Sequence, residues 1–286
     1  MAPGADALKP SVSDQLQQLI RTSRASDVGF AAHLLATREE ILIKPDMPFH
    51  PASTMKVCVM MEVFRQARLG TISLTDPVPV YNQFVSIADG SPYSLKAEDD
   101  SEKDLYARVG ETASIHELVL RMITVSSNLA TNILLEYVSP QRVTAFMRAL
   151  GTDDLIVRRG VEDNEAYRQG MNNSATARGF MLILLKLARR EIVSSEDSDA
   201  MINILAQQQH NEMIPALLPE GTRIAHKTGW AGDYHHDIGL IYPSNGEPFV
   251  LSILTKGYAQ ADERDAHAFV ASMAKTIFDH WDPGSR

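Results

Sequence analysis

The stretch that most constrains this chain is Ser53-Thr54-Met55-Lys56, at the head of the apolar run Val57-Cys58-Val59-Met60-Met61. The run continues to Leu69 and stops at Gly70, and Pro51 stands just before its start. This pattern reads as one helix, opened at a proline and closed at a glycine. Serine and lysine three apart on a helix lie on one face, a turn from each other. A serine hydroxyl attacks a carbonyl only when something takes its proton. A lysine can do so where burial or cationic neighbours keep part of its amine population neutral. The outward N–H groups of a helix N-terminus would also stabilise the resulting oxyanion. The tetrad alone decides nothing, because Ser272-Met273-Ala274-Lys275 repeats the spacing near the C-terminus.

Before this helix, Ser11 to Ser23 carries the stripe Leu16, Leu19, Ile20 of a first helix. Val28 to Leu35 and Ile41 to Ile43 read as two strands. His50 is a base by residue type, but Lys56 is better placed, and His50 is expected to pack in the turn before Ser53. Residues 71–110 are interrupted by Pro77, Pro79, Gly90-Ser91-Pro92 and the acidic run from Glu98 to Glu102, which predicts irregular surface structure. Glu111 to Ala130 is helical in pattern, with Ser126-Ser127-Asn128 inside it and a further helix to Tyr137. That polar triplet is either a tip aimed at something or a plain helix N-cap. Gln141 to Leu150 reads as a helix, and 157–173 as an ordered loop laced with charge. Helices are expected from Ser174 through Leu187 and from Met201 to Leu205. From Arg223 the pattern changes to strands: Arg223 to Thr228, Ile238 to Tyr242 and Phe249 to Leu254. Hairpin links are expected at Gly229 to Asp233 and Pro243-Ser244-Asn245-Gly246. A last helix, Asp265 to Trp281, holds Ser272 and Lys275 with no further motif after it, so the second tetrad reads as coincidence.

The 286 residues fit one large domain or two intimately packed ones. Thirty-six acidic against 27 basic residues give a net charge of −9 without any basic block, which argues against nucleic acid as a partner. No apolar stretch approaches the ~18 residues of a membrane span. The opening Met-Ala-Pro-Gly-Ala-Asp lacks the basic and apolar regions of a signal peptide, as expected of a cytoplasmic protein or of one whose signal has been trimmed. Cys58, the one cysteine, excludes an internal disulfide and reads as a core residue. His235-His236 do not predict a metal site, since adjacent strand residues point to opposite faces.

Three motifs follow one another in order: Ser53-x-x-Lys56, Ser126-x-Asn128, and Lys227-Thr228-Gly229 on a predicted strand. Each is weak and the ordered set is specific. The sequence resembles the serine β-lactamase and DD-peptidase superfamily, and within it class A, from the first helix to the last. Phe49-His50-Pro51-Ala52-Ser53-Thr54-Met55-Lys56 resembles the class's active-site lead-in. Met122-Ile123-Thr124-Val125-Ser126-Ser127-Asn128 resembles its second motif, with Ser127 where an aspartate is usual. The resemblance implies an α/β (α+β) fold of the β-lactamase/transpeptidase type. An antiparallel sheet from both chain ends would carry flanking helices, with an all-helical domain inserted. Residues 1–56 and 205–286 would form the sheet domain and 57–204 the helical one.

The same resemblance implies the roles. Ser53 would be acylated, with Lys56 as its proton partner. Ser126 would pass a proton to the departing lactam nitrogen, and Asn128 would hold the acyl side-chain amide. Lys227 and Thr228 would meet the substrate carboxylate, beside Gly229. The backbone N–H groups of Ser53 and Trp230 would form the oxyanion hole. No metal or organic cofactor is implied. The expected substrate is a small β-lactam or a peptidoglycan-like peptide, the expected state a monomer, and the expected location periplasmic or secreted.

Three departures keep alternatives open. Glu162 is the chosen deacylation base, with Asp163 and Glu165 as rivals, and Ala166 stands where an asparagine is usual four residues on. The segment from Tyr81 to Gly110 is longer than the class pattern. No arginine faces Lys227-Thr228-Gly229 from the next strand, and His236 falls nearest. The leading reading is therefore a class A-like serine β-lactamase. A DD-peptidase or esterase of the same fold, or a β-lactam sensor that acylates without turnover, are its alternatives.

Overall fold

The computed structural model describes residues 10–244, 247–259 and 262–282. The opening residues 1–6 and Asn245-Gly246 of the second expected hairpin lie outside them. Helix α1 (Val12–Thr22) starts at a reciprocal cap: Ser11 Oγ accepts the Asp14 amide while the Asp14 carboxylate accepts the Ser11 amide. Strands β1 (Asp27–Leu34) and β2 (Glu40–Ile43) follow. The stretch expected as one helix is two pieces, a 3-10 turn over Ala52–Met55 and then α2 (Lys56–Arg68). Ala52, at φ 48°, bends the chain immediately before Ser53. The Thr54 amide then bonds the Pro51 carbonyl in the tighter pattern that commonly opens helices.

The middle of the chain, expected as an all-helical insertion with irregular structure over 71–110, carries short strands as well. Four short strands, β3 (Pro77–Pro79), β4 (Phe84–Val85), β5 (Pro92–Tyr93) and β6 (Thr112–Ser114), form the ribbons β3–β6 and β4–β5. Pro77, Pro79 and Pro92 cannot sit in a helix interior, and two-stranded ribbons tolerate them. Around these stand α3 (Ile115–Thr124), α4 (Asn128–Val138), α5 (Pro140–Ala149), α6 (Asn164–Arg168), α7 (Ala177–Ala188) and α8 (Ser195–Leu205). Helix α8 begins well before Met201, because Ser194 caps it by accepting the Asp197 amide.

The chain closes with β7 (Arg223–Ala231), β8 (Tyr234–Tyr242), β9 (Phe249–Lys256) and α9 (Glu263–Trp281). The β7–β8 hairpin is tighter than expected. Pairing continues to Ala231↔Tyr234, which makes Gly229 and Trp230 strand residues.

One antiparallel sheet, in the order β2-β1-β9-β8-β7, joins the two ends of the chain. Its register runs from Asp27↔Lys256 to Leu34↔Phe249 between β1 and β9. On one face Phe30, Ile253 and Phe249 pack with Val270, Met273 and Phe278 of α9 and Leu16 of α1. On the other, Ala31, Ile238 and Leu254 share a core with α2, α3, α4 and α7. Every residue from Lys56 to Phe64 is buried, so α2 runs through the centre of this second layer. The result is a mixed α/β fold, an antiparallel sheet with flanking helices. Among the described residues no helix is long and apolar enough to cross a membrane.

Candidate active site

The third motif lies on β7, the edge strand nearest the 3-10 turn. A Cβ on Gly229 would stand 2.8 Å from the amide nitrogens of both Ser53 and Thr54. Only a glycine lets the strand backbone come this close to the turn. The strand therefore brings the Trp230 backbone beside Ser53, and both residues line one cavity of about 350 Å³. His50, Met55, Asn128, Glu162, Asn164 and Tyr234 also border it.

Two lysines meet at Ser126. Lys56 Nζ donates to the Ser126 carbonyl at 2.7 Å, to Ser126 Oγ at 3.2 Å and to Asn128 Oδ1 at 2.9 Å. Lys227 Nζ donates to the same Ser126 Oγ at 3.0 Å and to the Thr228 carbonyl at 3.0 Å. Both side chains are fully buried. Burial pulls the Lys56 ammonium down to about 7, against the opposing pull of Asp100 and Glu162. Burial and then the Lys56 charge hold Lys227 well below the ordinary lysine range. Three acceptors around Lys56 favour its charged form while desolvation favours the neutral one, so near neutrality both are populated.

Ser126 is the hinge of this arrangement. It stands at φ 61° between α3 and α4, a left-handed conformation that turns its carbonyl toward Lys56. Glu162 is left-handed as well, at φ 60°, and its Oε1 accepts from Asn128 Nδ2 at 3.0 Å. Each such residue costs about 1–3 kcal/mol and persists only where its surroundings hold it. Asn128 thus bridges Lys56 and Glu162. Burial raises the Glu162 carboxyl above the ordinary range.

The rival carboxylates in the loop are occupied elsewhere. Asp163 is buried and caps α6, accepting from Ala166 N at 3.0 Å, Ser86 Oγ at 2.7 Å and Ile87 N at 3.0 Å. Glu165 pairs with Arg168 and Gln169 away from Ser53. Residues that sequence reasoning missed set the loop. Asn132 on α4 holds the Val161 backbone at both ends, accepting its N–H at 2.7 Å and donating to its carbonyl at 3.0 Å. Asn173 accepts the Arg158 and Arg159 amides at the loop's neck, where Ile156 and Ser174 form a bridge. The only signal for either was an amide at a buried helix or loop position, which sequence alone cannot aim.

His236 does not stand in for the missing arginine. It is fully buried on β8, opposite Gly229, donating Nε2–H to the His50 carbonyl at 2.8 Å and accepting from the Thr255 amide at 3.1 Å. Both ring nitrogens are used, Phe49 packs edge-on against the ring, and no atom is left for a substrate. His50 packs in the lead-in turn, where its Nδ1 accepts the Ala52 amide at 3.1 Å. Thr228 Oγ1, in contrast, is buried without a hydrogen-bond partner among the described residues. The second tetrad lies on α9 and does not line the cavity, with Ser272 Oγ bonded to the Ala268 carbonyl and Lys275 paired with Asp279. Among the described residues no group of three or more His, Cys, Asp or Glu is placed to hold a metal ion.

The architecture and sequence have known counterparts. The ancestral class A β-lactamase GNCA superposes with a TM-score of 0.82 at 24% identity, covering 95% of this chain and 100% of that one. The structure titled PBP-A superposes at 0.80 with 21% identity, over 94% and 95% of the two chains. Extended-spectrum β-lactamase PER-1 of Pseudomonas aeruginosa is 25% identical over 281 residues, 95% of this chain and 88% of the relative. The β-lactamase of Streptomyces albus G is 27% identical over 277 residues, 93% and 84% of the two. A sequence model of the beta-lactamase enzyme family matches residues 11–281, which takes in all three motifs and both chain ends that build the sheet. By that match the chain belongs to the beta-lactamase enzyme family.

Proposed function

We propose that this chain hydrolyses β-lactams through an acyl-enzyme on Ser53, in a cleft between a sheet-based part (1–56 and 205–286) and an inserted part (57–204). The observation that carries the reading is the pair of buried lysines on Ser126, one of them brought to about 7, beside a cavity lined by Ser53 and Glu162.

Neutral Lys56 takes the Ser53 hydroxyl proton as Oγ attacks the lactam carbonyl. The Ser53 and Trp230 amides receive the oxyanion, at a place where the Gly229 approach brings strand and turn together. Ser126 then delivers a proton to the lactam nitrogen and is resupplied by the lysines that contact its Oγ. Lys227 and the unpartnered Thr228 hydroxyl attract the substrate carboxylate. Asn128 positions the acyl side chain. Glu162, its carboxyl raised by burial, deprotonates the water that releases the product. Asn164 borders the same cavity and offers an amide near that water in place of the one absent at Ala166. The reading implies a monomer that acts in the periplasm or outside the cell.

Mass spectrometry of the protein with a cephalosporin, run beside a turnover assay, tests the proposal. Fast hydrolysis with a transient adduct on Ser53 is expected. A lasting adduct without turnover points instead to a peptidase or sensor.

A further inference from the structure

The N-terminus of α4 carries the side chain on which the site turns, Asn128, so what holds that helix end matters. Four helix-start amides need acceptors. Ser127 Oγ takes the Ala130 amide at 3.3 Å and the Arg121 carbonyl takes the Ser127 amide at 3.1 Å. The other two go to a residue distant in sequence. Asp100 accepts from Asn128 N at 3.0 Å and 2.9 Å through its two oxygens, and from Leu129 N at 3.1 Å. Asp100 belongs to the long 81–110 segment and is only 5% exposed. Tyr106 Oη and the Glu102 amide hold it in turn, at 2.8 Å and 3.3 Å.

We propose that Asp100 is a positioning residue for the second motif: from the 81–110 segment it supplies the carboxylate that fixes the α4 N-terminus and with it the Asn128 bridge between Lys56 and Glu162. Ser127 occupies the position where the class pattern has an aspartate, and an uncharged hydroxyl there leaves room for a carboxylate brought in from elsewhere. The inference rests on the proposed use of Lys56, Asn128 and Glu162.

Asp100 also acts through its charge. Lys56 feels Asp100 and Glu162 as stabilising anions, while Lys227 stands beside it on Ser126. Glu162 faces Asp100 and Asp99 as like charges, Lys56 as an opposite one, and the Asn128 amide as a donor. Glu102, the other nearby carboxylate, is paired with Arg121 at 2.8 Å. Removing the Asp100 charge therefore lowers the protonation midpoints of both Lys56 and Glu162.

Two substitutions separate geometry from charge. Asp100→Asn keeps one acceptor oxygen and loses the charge, whereas Asp100→Ala loses both. In Asp100→Asn the acid limb of the kcat/KM profile is expected to move to lower pH by roughly one unit. In Asp100→Ala, acylation is expected to fall by about 10²-fold, the scale of a misplaced catalytic group. The Lys56 titration, followed by NMR of ε-13C-lysine in the unliganded enzyme and assigned by loss of its signal in Lys56→Arg, needs no substrate. A chain that fails to turn over β-lactams would leave that measurement intact. It is expected to shift down in Asp100→Asn, together with the Asn128 and Leu129 amide signals. A wild-type Lys56 titration and unmoved amides in Asp100→Asn overturn the proposal, even if Asp100→Ala does not fold.

Discussion

At the scale of single residues, the site turns on which of several similar groups is unoccupied. Ser53 lines the cavity, whereas Ser272 Oγ is bonded to its own helix. Ser53→Ala is expected to abolish covalent labelling by a penicillin-type reagent, and Ser272→Ala to leave it intact. Labelling that persists in Ser53→Ala removes the mechanism. The same logic sorts the loop carboxylates. Asp163 has three donors around it and Glu165 is paired with Arg168, so neither has an oxygen directed at a water beside Ser53. Glu162→Gln is expected to slow deacylation by about 10²–10⁴-fold while acylation changes far less, so an adduct accumulates on Ser53. Asp163→Asn should keep its hydrolytic ability but lower the melting temperature, because it loses the charge that caps α6 and ties down Ser86 and Ile87. If Asp163→Asn traps the adduct and Glu162→Gln does not, the base has been misassigned.

At the scale of elements, the close approach of β7 to the 3-10 turn is the joint most sensitive to change. Alanine at 229 would put a carbon 2.8 Å from two backbone nitrogens, neither of which can rotate away. Gly229→Ala should cost about 1–3 kcal/mol of stability through overpacking. It should also reduce acylation by about 10²-fold, because the Ser53 and Trp230 amides are pushed apart. Urea unfolding and stopped-flow acylation measure the two effects; a normal acylation rate in a folded variant would remove the oxyanion role. Such joints mark the limit of what sequence conveys. The helices α1 and α9, the strands β1, β2 and β9, and the order of the three motifs were legible because each rests on local periodicity or on residue spacing. The extension of β7 to Ala231 was not, because it depends on register with β8. The Asp100 bonds to α4 were hidden for the same reason: they join residues 28 apart through an irregular segment without period. His236 misled because sequence gives adjacency to the missing arginine's position but not which way the ring is buried.

At the scale of the whole molecule, the central sheet is tied to the lead-in turn before Ser53 by a neutral histidine. His236 on β8 donates to the His50 carbonyl, and His50 in turn holds the Ala52 amide. Burial brings both rings down to about 4, His50 also feeling the Arg159 charge. In the unfolded chain each would titrate near the reference value of about 6.5. Between these values the unfolded state binds protons that the native state refuses, so acid favours unfolding. The stabilisation is complete above about 6.5 and is lost as the pH falls through that value to about 4, amounting to about 3 kcal/mol at most for fully buried His236. The melting temperature should therefore drop across this window. His236→Gln, which can still donate to the His50 carbonyl and accept from the Thr255 amide, should flatten the drop while retaining activity at neutral pH. A melting profile with the wild-type slope in His236→Gln would show that acid lability arises elsewhere. A variant that melts normally at pH 7 and keeps its rate there would confirm that the ring serves the joint and not the substrate.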